Sequence, residues 1–368
     1  MAGRILISAG GTGGHLFPAE ALAHALAGRG WTIHLATDHR VESYGQTFPA
    51  VETHIIRSAT PSVKSPVAIA SALWSLYGGY RQAKTMLRRV APVAVVGFGG
   101  YPTVPPLLAA VHLKIPTVVH DANAVLGRAN RLLAPRVSVL ATSFGEVGFA
   151  AGLKTRIVQT GNPVRPAVIE ASRVPYDPPR PDLPLRLVVC GGSQGARYFS
   201  DVMPAALALL GEADRARLSI VQQCRAEDIE RVRAAYGPLG VKAELAPFFR
   251  DLPARIAASH LVLCRSGAST VSELSVIGRP GIMVPLPHAI DQDQSVNAAV
   301  LAKAGGGWVV PQAELTAERL AGDLQEFLRD PARLAAAAAA ARSVGRPDAV
   351  EQLADLVEEV ASTRNTRS

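Results

Sequence analysis

Apolar positions along this chain fall into short continuous runs, each closed by a glycine or polar break and followed by a segment long enough for a helix. The first run covers 4–8, the break 10–15, and a segment with apolar residues at helical spacing covers 18–29. Runs at 32–36, 93–96, 117–119 and 138–141 repeat the pattern, with a further helical segment at 103–112. A strand that is apolar without alternation is covered on both faces, and such strands alternating with helices make parallel βαβ units. The pattern predicts a doubly wound α/β sheet.

The pattern then starts again. Asn162-Pro163-Val164-Arg165 leads into a proline-rich stretch, 175–184, whose composition suits an exposed connector. After it come a buried-type strand at 185–190, a glycine turn at 191–196 and a helical segment at 199–210. Further strands are expected at 219–222, 261–264 and 281–285. The alanine-rich tail over 330–360 reads as helix, alanine having the highest helix propensity. Two similar halves follow: an N-terminal domain over 1–162, a second over 163–340, and a terminal helix over 341–368 that packs back on the first.

Length agrees, since 368 residues exceed one ordinary core and suit two. A charged share of 18% against 48% hydrophobic excludes disorder of the whole chain. The net charge of +8 favours an anionic partner: nucleic acid, an anionic membrane surface or a phosphorylated substrate. Lys and Arg are scattered, with no zinc-finger, RNA-recognition or helix-turn-helix signature, which places nucleic acid last. Cys190, Cys224 and Cys264 lack metal-type spacing, two of them sit in apolar strand-like runs where a thiol acts as a small core residue, and a reduced compartment fits. The apolar run before Gly10 is too brief for a signal peptide and no apolar stretch is long enough to span a bilayer, so a cytoplasmic protein is expected.

The breaks carry the candidate chemistry. Gly10-Gly11-Thr12-Gly13-Gly14-His15 follows a strand and precedes a helix expected to start near Pro18. It is not the dinucleotide fingerprint, because Leu16 replaces the third glycine, nor a Walker A loop, because no Lys-Ser/Thr follows. Gly191-Gly192-Ser193-Gln194-Gly195-Ala196 repeats the arrangement and fails both fingerprints too. Arg265-Ser266-Gly267-Ala268-Ser269-Thr270 leads into Val271-Ser272-Glu273, where backbone N–H groups could hold a pyrophosphate and Glu273 two ribose hydroxyls. Pro285-Leu286-Pro287-His288, Asp291 to Gln294 and Asn297 gather amides and carboxyls suited to sugar hydroxyls. Gly97-Phe98-Gly99-Gly100-Tyr101-Pro102 and His120-Asp121-Ala122-Asn123 end two more strands. Each has a plainer reading: a tight turn for the glycines, a helix-start acid for Glu273, an N-cap for Asp291 or Asp293, a satisfied structural residue for a lone histidine.

In order from 10 to about 305, the segments GGTGGH, GFGGYP, HDAN with Gly127-Arg128-Ala129-Asn130, TGNPVR from Thr160, GGSQGA, RSGAST-VSE and PLPH…DQDQ…NA closely resemble the MurG family. These are the UDP-N-acetylglucosamine:lipid I N-acetylglucosaminyltransferases of peptidoglycan synthesis. The resemblance implies a GT-B fold, two Rossmann-like doubly wound parallel-sheet domains facing across a cleft, with donor held mainly by the C-terminal domain and acceptor by the N-terminal one. It assigns donor contacts to Thr12, Gly13, Gly14, Asn123, Arg165, Ser193, Gln194, Phe249, Ala268, Glu273 and Gln294. Among them Ser193 and its loop meet phosphate, Glu273 the ribose, the backbone around Phe249 the uracil with Phe248 beside it, and Gln294 and Asn123 the sugar. Tyr101 and Asn130 fall on the acceptor side. Asp121 stands where the family often has Glu, and Asp293 where it usually has His or Gln, which adds negative charge and removes an amide donor.

The implied reaction is inverting attack by the muramoyl C4 hydroxyl of lipid I on the anomeric carbon of UDP-N-acetylglucosamine, yielding lipid II and UDP. His15 is the first candidate base and Asp121 the second. UDP-N-acetylglucosamine is a substrate; no cofactor and no tightly bound metal are expected. Lipid I is membrane-anchored, so the protein is expected at the cytoplasmic face of the bacterial inner membrane, with other cell-wall synthesis proteins as candidate partners. Leu73, Trp74, Leu76, Tyr77, Arg81 and Lys84, within an apolar and basic segment at 67–89, are the expected membrane contacts; the plainer reading is an amphipathic helix whose apolar face is core. Two other classes compete: a UDP-N-acetylglucosamine 2-epimerase of the same architecture, and a catalytically silent membrane-associated scaffold.

Overall fold

The computed structural model describes residues 3–10, 13–39, 48–59, 66–180, 182–192 and 195–365. The chain divides into two compact units, Met1–Arg165 with Pro347–Ser368, and Pro166–Arg346. Each break lies a few residues beyond the boundaries read from sequence.

The first unit is built on strands β1 (Arg4–Ser8), β2 (Thr32–Thr37), β3 (Glu52–Ile55), β4 (Ala94–Gly97), β5 (Thr117–Asp121), β6 (Val139–Thr142) and β7 (Arg156–Gln159), all parallel, in the order β3-β2-β1-β4-β5-β6-β7. Helices α1 (Gly13–Gly28), α2 (Pro66–Val90), α3 (Val104–His112) and α4 (Arg128–Leu133) connect them. The strand period of two assigns each face its own core. Ile5, Ile7, Ile33 and Leu35 pack with Leu16, Leu22 and Leu26 of α1, whereas Leu6, Ala36 and Val95 pack with Met86 and Leu87 of α2 and Leu107 of α3.

The second unit holds α5 (Pro166–Ala171), β8 (Leu185–Cys190), α6 (Arg197–Leu209), α7 (Glu212–Ala216), β9 (Leu218–Gln223), α8 (Ile229–Tyr236), β10 (Lys242–Ala246), α9 (Leu252–Ala258), β11 (Leu261–Cys264), α10 (Ala268–Ile277), β12 (Gly281–Met283), α11 (Asp293–Lys303), β13 (Gly307–Val309), α12 (Ala317–Arg329) and α13 (Pro331–Ser343). Its parallel sheet runs β10-β9-β8-β11-β12-β13. Counted from each unit's first strand, both sheets share the order 3-2-1-4-5-6 of Rossmann-like domains. The buried Arg279 anchors the proline-rich connector, donating to the carbonyls of Val174 (3.2 Å) and Pro175 (3.1 Å) as well as to Ile277 (3.0 Å).

The last helix, α14 (Ala349–Asn365), returns to the first unit. Leu353, Leu356, Val357 and Val360 enter the core beside α1. Arg29 pairs with Glu351, with Asp355 (2.6 Å) and with Glu358 (2.7 Å), and Trp31 Nε1 donates to Glu358 (2.6 Å).

One local expectation is corrected. Helix α1 begins at Gly13, so Pro18 lies inside it instead of opening it. Proline's fixed φ is compatible with the helix, but as its sixth residue Pro18 leaves the Gly14 carbonyl without the usual i→i−4 donor. His15 therefore belongs to the first helical turn.

Candidate active site

In each sheet the strand order reverses beside the unit's first strand, between β1 and β4 and between β8 and β11. Loops leaving the carboxyl ends of such a pair diverge and open a crevice, the usual ligand site of doubly wound sheets. The glycine-rich segments leave those ends: Gly10 after β1, Phe98 to Gly100 after β4, Gly191 and Gly192 after β8, and Arg265 to Gly267 after β11.

In the first unit the sequence-chosen residues converge. The His15 ring lies against the glycine turn after β4: a Cβ on Gly99 would stand 3.3 Å from its Cε1 and 3.3 Å from Asn130 Nδ2, and one on Gly100 3.4 Å from its Cδ2. With φ of 89° and 76°, Gly99 and Gly100 adopt a backbone that other residues enter at a cost. Tyr101, half-buried, follows directly in a short 3-10 turn. Arg165 places its guanidinium 5.5 Å from the centre of the Phe17 ring, and Phe17 also crowds Gly13, where a Cβ would lie 3.0 Å from its Cε2. Gly13, Gly14 and Arg165 thus gather at the start of α1. Thr12 lies outside the described residues.

Asp121, 2% exposed, holds this edge together. Its Oδ1 accepts from the Asn123 N–H (3.0 Å) and its Oδ2 from the Gly127 N–H (2.8 Å) and Asn130 Nδ2 (2.9 Å). A buried carboxylate with three donors on it orders the 121–130 loop, which is a different task from taking a substrate proton. His120 is fully buried against Phe98, its Nε2 donating to the Gly161 carbonyl (3.0 Å), and burial lowers its pKa, so it is a neutral structural residue.

In the second unit Gly191 is a steric necessity, since a Cβ there would fall 2.1 Å from the Ala196 nitrogen. Gln223, at the end of β9, was not singled out from sequence. It accepts from the Gly191 N–H (3.1 Å) and donates to the Pro247 carbonyl (3.2 Å), fastening the glycine loop to the segment that carries Phe248 and Phe249. Phe249 is buried beneath the Arg255 guanidinium, 4.4 Å from its ring centre, and Phe248 is exposed. Ser193 and Gln194 lie outside the described residues.

Helix α10 starts at Ala268 with Gly267 as a cap that supplies no side chain, so its first N–H groups receive no side-chain cap. Glu273 is half-buried further along α10 and raises the pKa of Cys190, which burial alone already elevates; the two residues are neighbours at the root of the glycine loop. The buried Arg265 is spent on structure, donating to the carbonyls of Val284 (3.1 Å) and Pro285 (3.2 Å) and to Gln312 Oε1 (2.5 Å). Gln294 Oε1 accepts from the Leu286 N–H (3.0 Å). Asp293 Oδ1 accepts from the Gln294 N–H (2.8 Å), and the residue capping α11 is Gln292, in a left-handed conformation like Asp291. Neither aspartate is the helix cap that sequence allowed. Asn297, fully buried, donates to the Ser266 carbonyl (3.4 Å) and ties α11 to the loop after β11.

On α2, Ala83, Met86 and Leu87 face the core, while Leu73, Trp74 and Tyr77 are 58%, 77% and 54% exposed. Arg81 is exposed, Leu76 is half-buried, and Lys84 lies 6.0 Å from the centre of the half-buried Tyr80 ring. The outer apolar residues are not a core face, contrary to the plainer sequence reading. No helix among the described residues is long and apolar enough to cross a membrane.

Comparisons with known proteins agree with this architecture. Residues 5–142 match the glycosyltransferase family 28 N-terminal domain and residues 186–353 the family 28 C-terminal domain. A UDP-N-acetylglucosamine–N-acetylmuramyl-(pentapeptide) pyrophosphoryl-undecaprenol N-acetylglucosamine transferase of Mesorhizobium japonicum is 58% identical over 363 residues, covering 98% of this chain and 96% of the relative. The crystal structure of Acinetobacter baumannii MurG superposes with a TM-score of 0.79 at 27% identity, over 98% of this chain and all of that one. A UDP-GlcNAc 2-epimerase from Neisseria meningitidis shares the fold alone, with a TM-score of 0.68 at 14% identity over 97% of this chain and all of that one. With its paired Rossmann-like sheets, both family 28 domains and this identity over nearly its full length, the chain belongs to the MurG family of GT-B glycosyltransferases.

Proposed function

We propose that this chain transfers N-acetylglucosamine from UDP-N-acetylglucosamine to the C4 hydroxyl of the muramoyl sugar of lipid I, with inversion, forming lipid II. The observation that carries the reading is the His15 ring packed on Gly99 and Gly100 with Asn130 beside it, at the switch point of the first sheet. An imidazole there is suited to take the acceptor hydroxyl proton as the glycosidic bond forms. Asp121 is its loop's positioning residue, setting Asn123 and Asn130 against the sugar and acceptor. In the second unit, the N–H groups of the Gly191 loop and the start of α10 receive the diphosphate, whose charge grows as UDP leaves, and such preorganised donors stabilise it. Glu273 accepts from the ribose hydroxyls, and the loop fastened by Gln223 presents the Phe249 backbone to uracil.

The acceptor's lipid anchor requires a bilayer within reach. The exposed Leu73, Trp74 and Tyr77 with Arg81 and Lys84 on α2 suit insertion at an anionic membrane surface, which we take to be the cytoplasmic face of the inner membrane.

Labelled UDP-N-acetylglucosamine with and without a lipid I analogue tests the reaction. Transfer requires UDP release and labelled disaccharide only when the analogue is present. Epimerised or hydrolysed sugar from donor alone would assign the epimerase chemistry instead.

A further inference from the structure

Away from the glycine loops, the edge of the first sheet carries a cluster that the transfer reaction does not use. Strands β2 and β3 pair with His34 opposite Glu52 and Ala36 opposite His54. The strand period places Glu52 and His54 on one face with His34, the side packed by α2. The two imidazoles, each 7% exposed, lie edge to edge with centroids 5.5 Å apart and planes 12° from parallel. His34 Nδ1 lies 3.2 Å from His54 Nε2. Glu52 reaches both rings, Oε2 standing 3.9 Å from His34 Nδ1 and Oε1 3.5 Å from His54 Nδ1. Arg89, from the last turn of α2, holds the same carboxylate at 2.6 Å and stands 3.5 Å from His54 Nδ1.

The contact between His34 Nδ1 and His54 Nε2 is a hydrogen bond; an ion about 2.1 Å from both nitrogens, subtending about 100°, displaces the shared proton and turns the two lone pairs from each other toward itself. Ligand atoms from all three side chains lie within 4.8 Å of one another. Burial disfavours the charged form of both histidines, against the opposing pull of Glu52. Glu52 is 45% exposed, which leaves the outward coordination position to water. Two cations oppose an ion here, Arg4 and Arg89. Arg89 is 66% exposed and has room to swing into solvent once its carboxylate is taken.

We propose that His34, His54 and Glu52 form a site for a divalent cation of the zinc class, separate from the transfer site, in which the ion replaces Arg89 at Glu52 and clamps the edge strand β3 to β2. Its role is structural or regulatory, because none of these residues belongs to the glycine-loop crevice. The site stands whether or not the transfer reaction is the chain's activity.

Tag-free, metal-stripped full-length protein titrated with Zn2+ by calorimetry, and with Co2+ by visible absorption, tests it. The wild type should bind one ion per chain with a rise in Tm, and Co2+ should show the ligand-field bands of a low-coordinate ion. Glu52→Gln should weaken binding by about tenfold or more, and His54→Gln likewise. Because a buried histidine variant can fail to fold, Arg89→Met is the second arm: it keeps all three ligands, removes the competing cation and should bind more tightly than wild type. No stoichiometric ion on the wild type, undiminished binding in Glu52→Gln, or no gain in Arg89→Met would each overturn the site.

Discussion

At the scale of single residues, His15 and Glu273 are assigned to different stages of one reaction, and substitutions separate them. His15→Ala should lower kcat by about 10²–10⁴-fold while donor affinity stays near normal, because the proton moves only in the transition state. Glu273→Ala should chiefly raise the donor KM, since ribose contacts exist in the ground state as well. Steady-state kinetics with varied donor reads both; normal turnover in the first or an unchanged KM in the second removes that role. His260 sets a pH limit instead. It is 1% exposed, its Nδ1 accepts from the Arg186 backbone N–H (2.9 Å), and burial, helped by Arg186, pushes its pKa down to about 4. The unfolded chain binds this proton near pH 6.5 and the folded chain does not. Stability is therefore complete above pH 6.5 and falls as pH drops from there towards 4, by up to about 3 kcal/mol. Denaturant midpoints from pH 7 to 4.5 should show that slope, and His260→Asn, which keeps an acceptor without the titration, should remove its share and leave the part due to His34, His54 and His120. Of these residues His15 and Glu273 were chosen from sequence, the first for closing a glycine turn and the second for lying early in the helix that follows one. Gln223 was not: a glutamine ending an apolar strand carries no signal of the two loops it joins.

At the scale of elements, β1, β8 and β11 coincide with the runs read from sequence, and the other interior strands differ only at their ends. The four strands missing from that reading are β3, β7, β10 and β13, and each lies at a sheet edge. An edge strand is covered on fewer sides, so β3 and β7 expose most of their residues and β10 buries none fully. Without a continuous apolar run there is no strand signal, although the backbone still pairs. The converse applies to α2, whose outer residues are apolar where an ordinary surface helix would be polar. Replacing Leu73 and Trp74 by Ser should therefore abolish cosedimentation with anionic liposomes and leave Tm within about 1 kcal/mol equivalent, since exposed side chains contribute little to stability. High salt should weaken wild-type binding through Arg81 and Lys84. Binding indifferent to both would disprove the membrane role of this helix.

For the whole molecule, the course of the chain matters more than any one contact. It leaves the first unit after Arg165 and re-enters it at Pro347. Leu353, Leu356, Val357 and Val360 together contribute roughly 6–12 kcal/mol of burial, comparable to the entire stability of an ordinary domain. Deleting 347–368 should thus unfold the first unit, seen as loss of its calorimetric transition, while the contiguous second unit still melts cooperatively; two retained transitions would show that α14 is dispensable. The same course imposes an order on biogenesis. A ribosome releases the first unit's sheet early but supplies helix α14 only after the whole second unit has emerged. Throughout that interval the nascent first unit lacks the side chains of α14 that pack on α1, and its core closes only when that helix arrives.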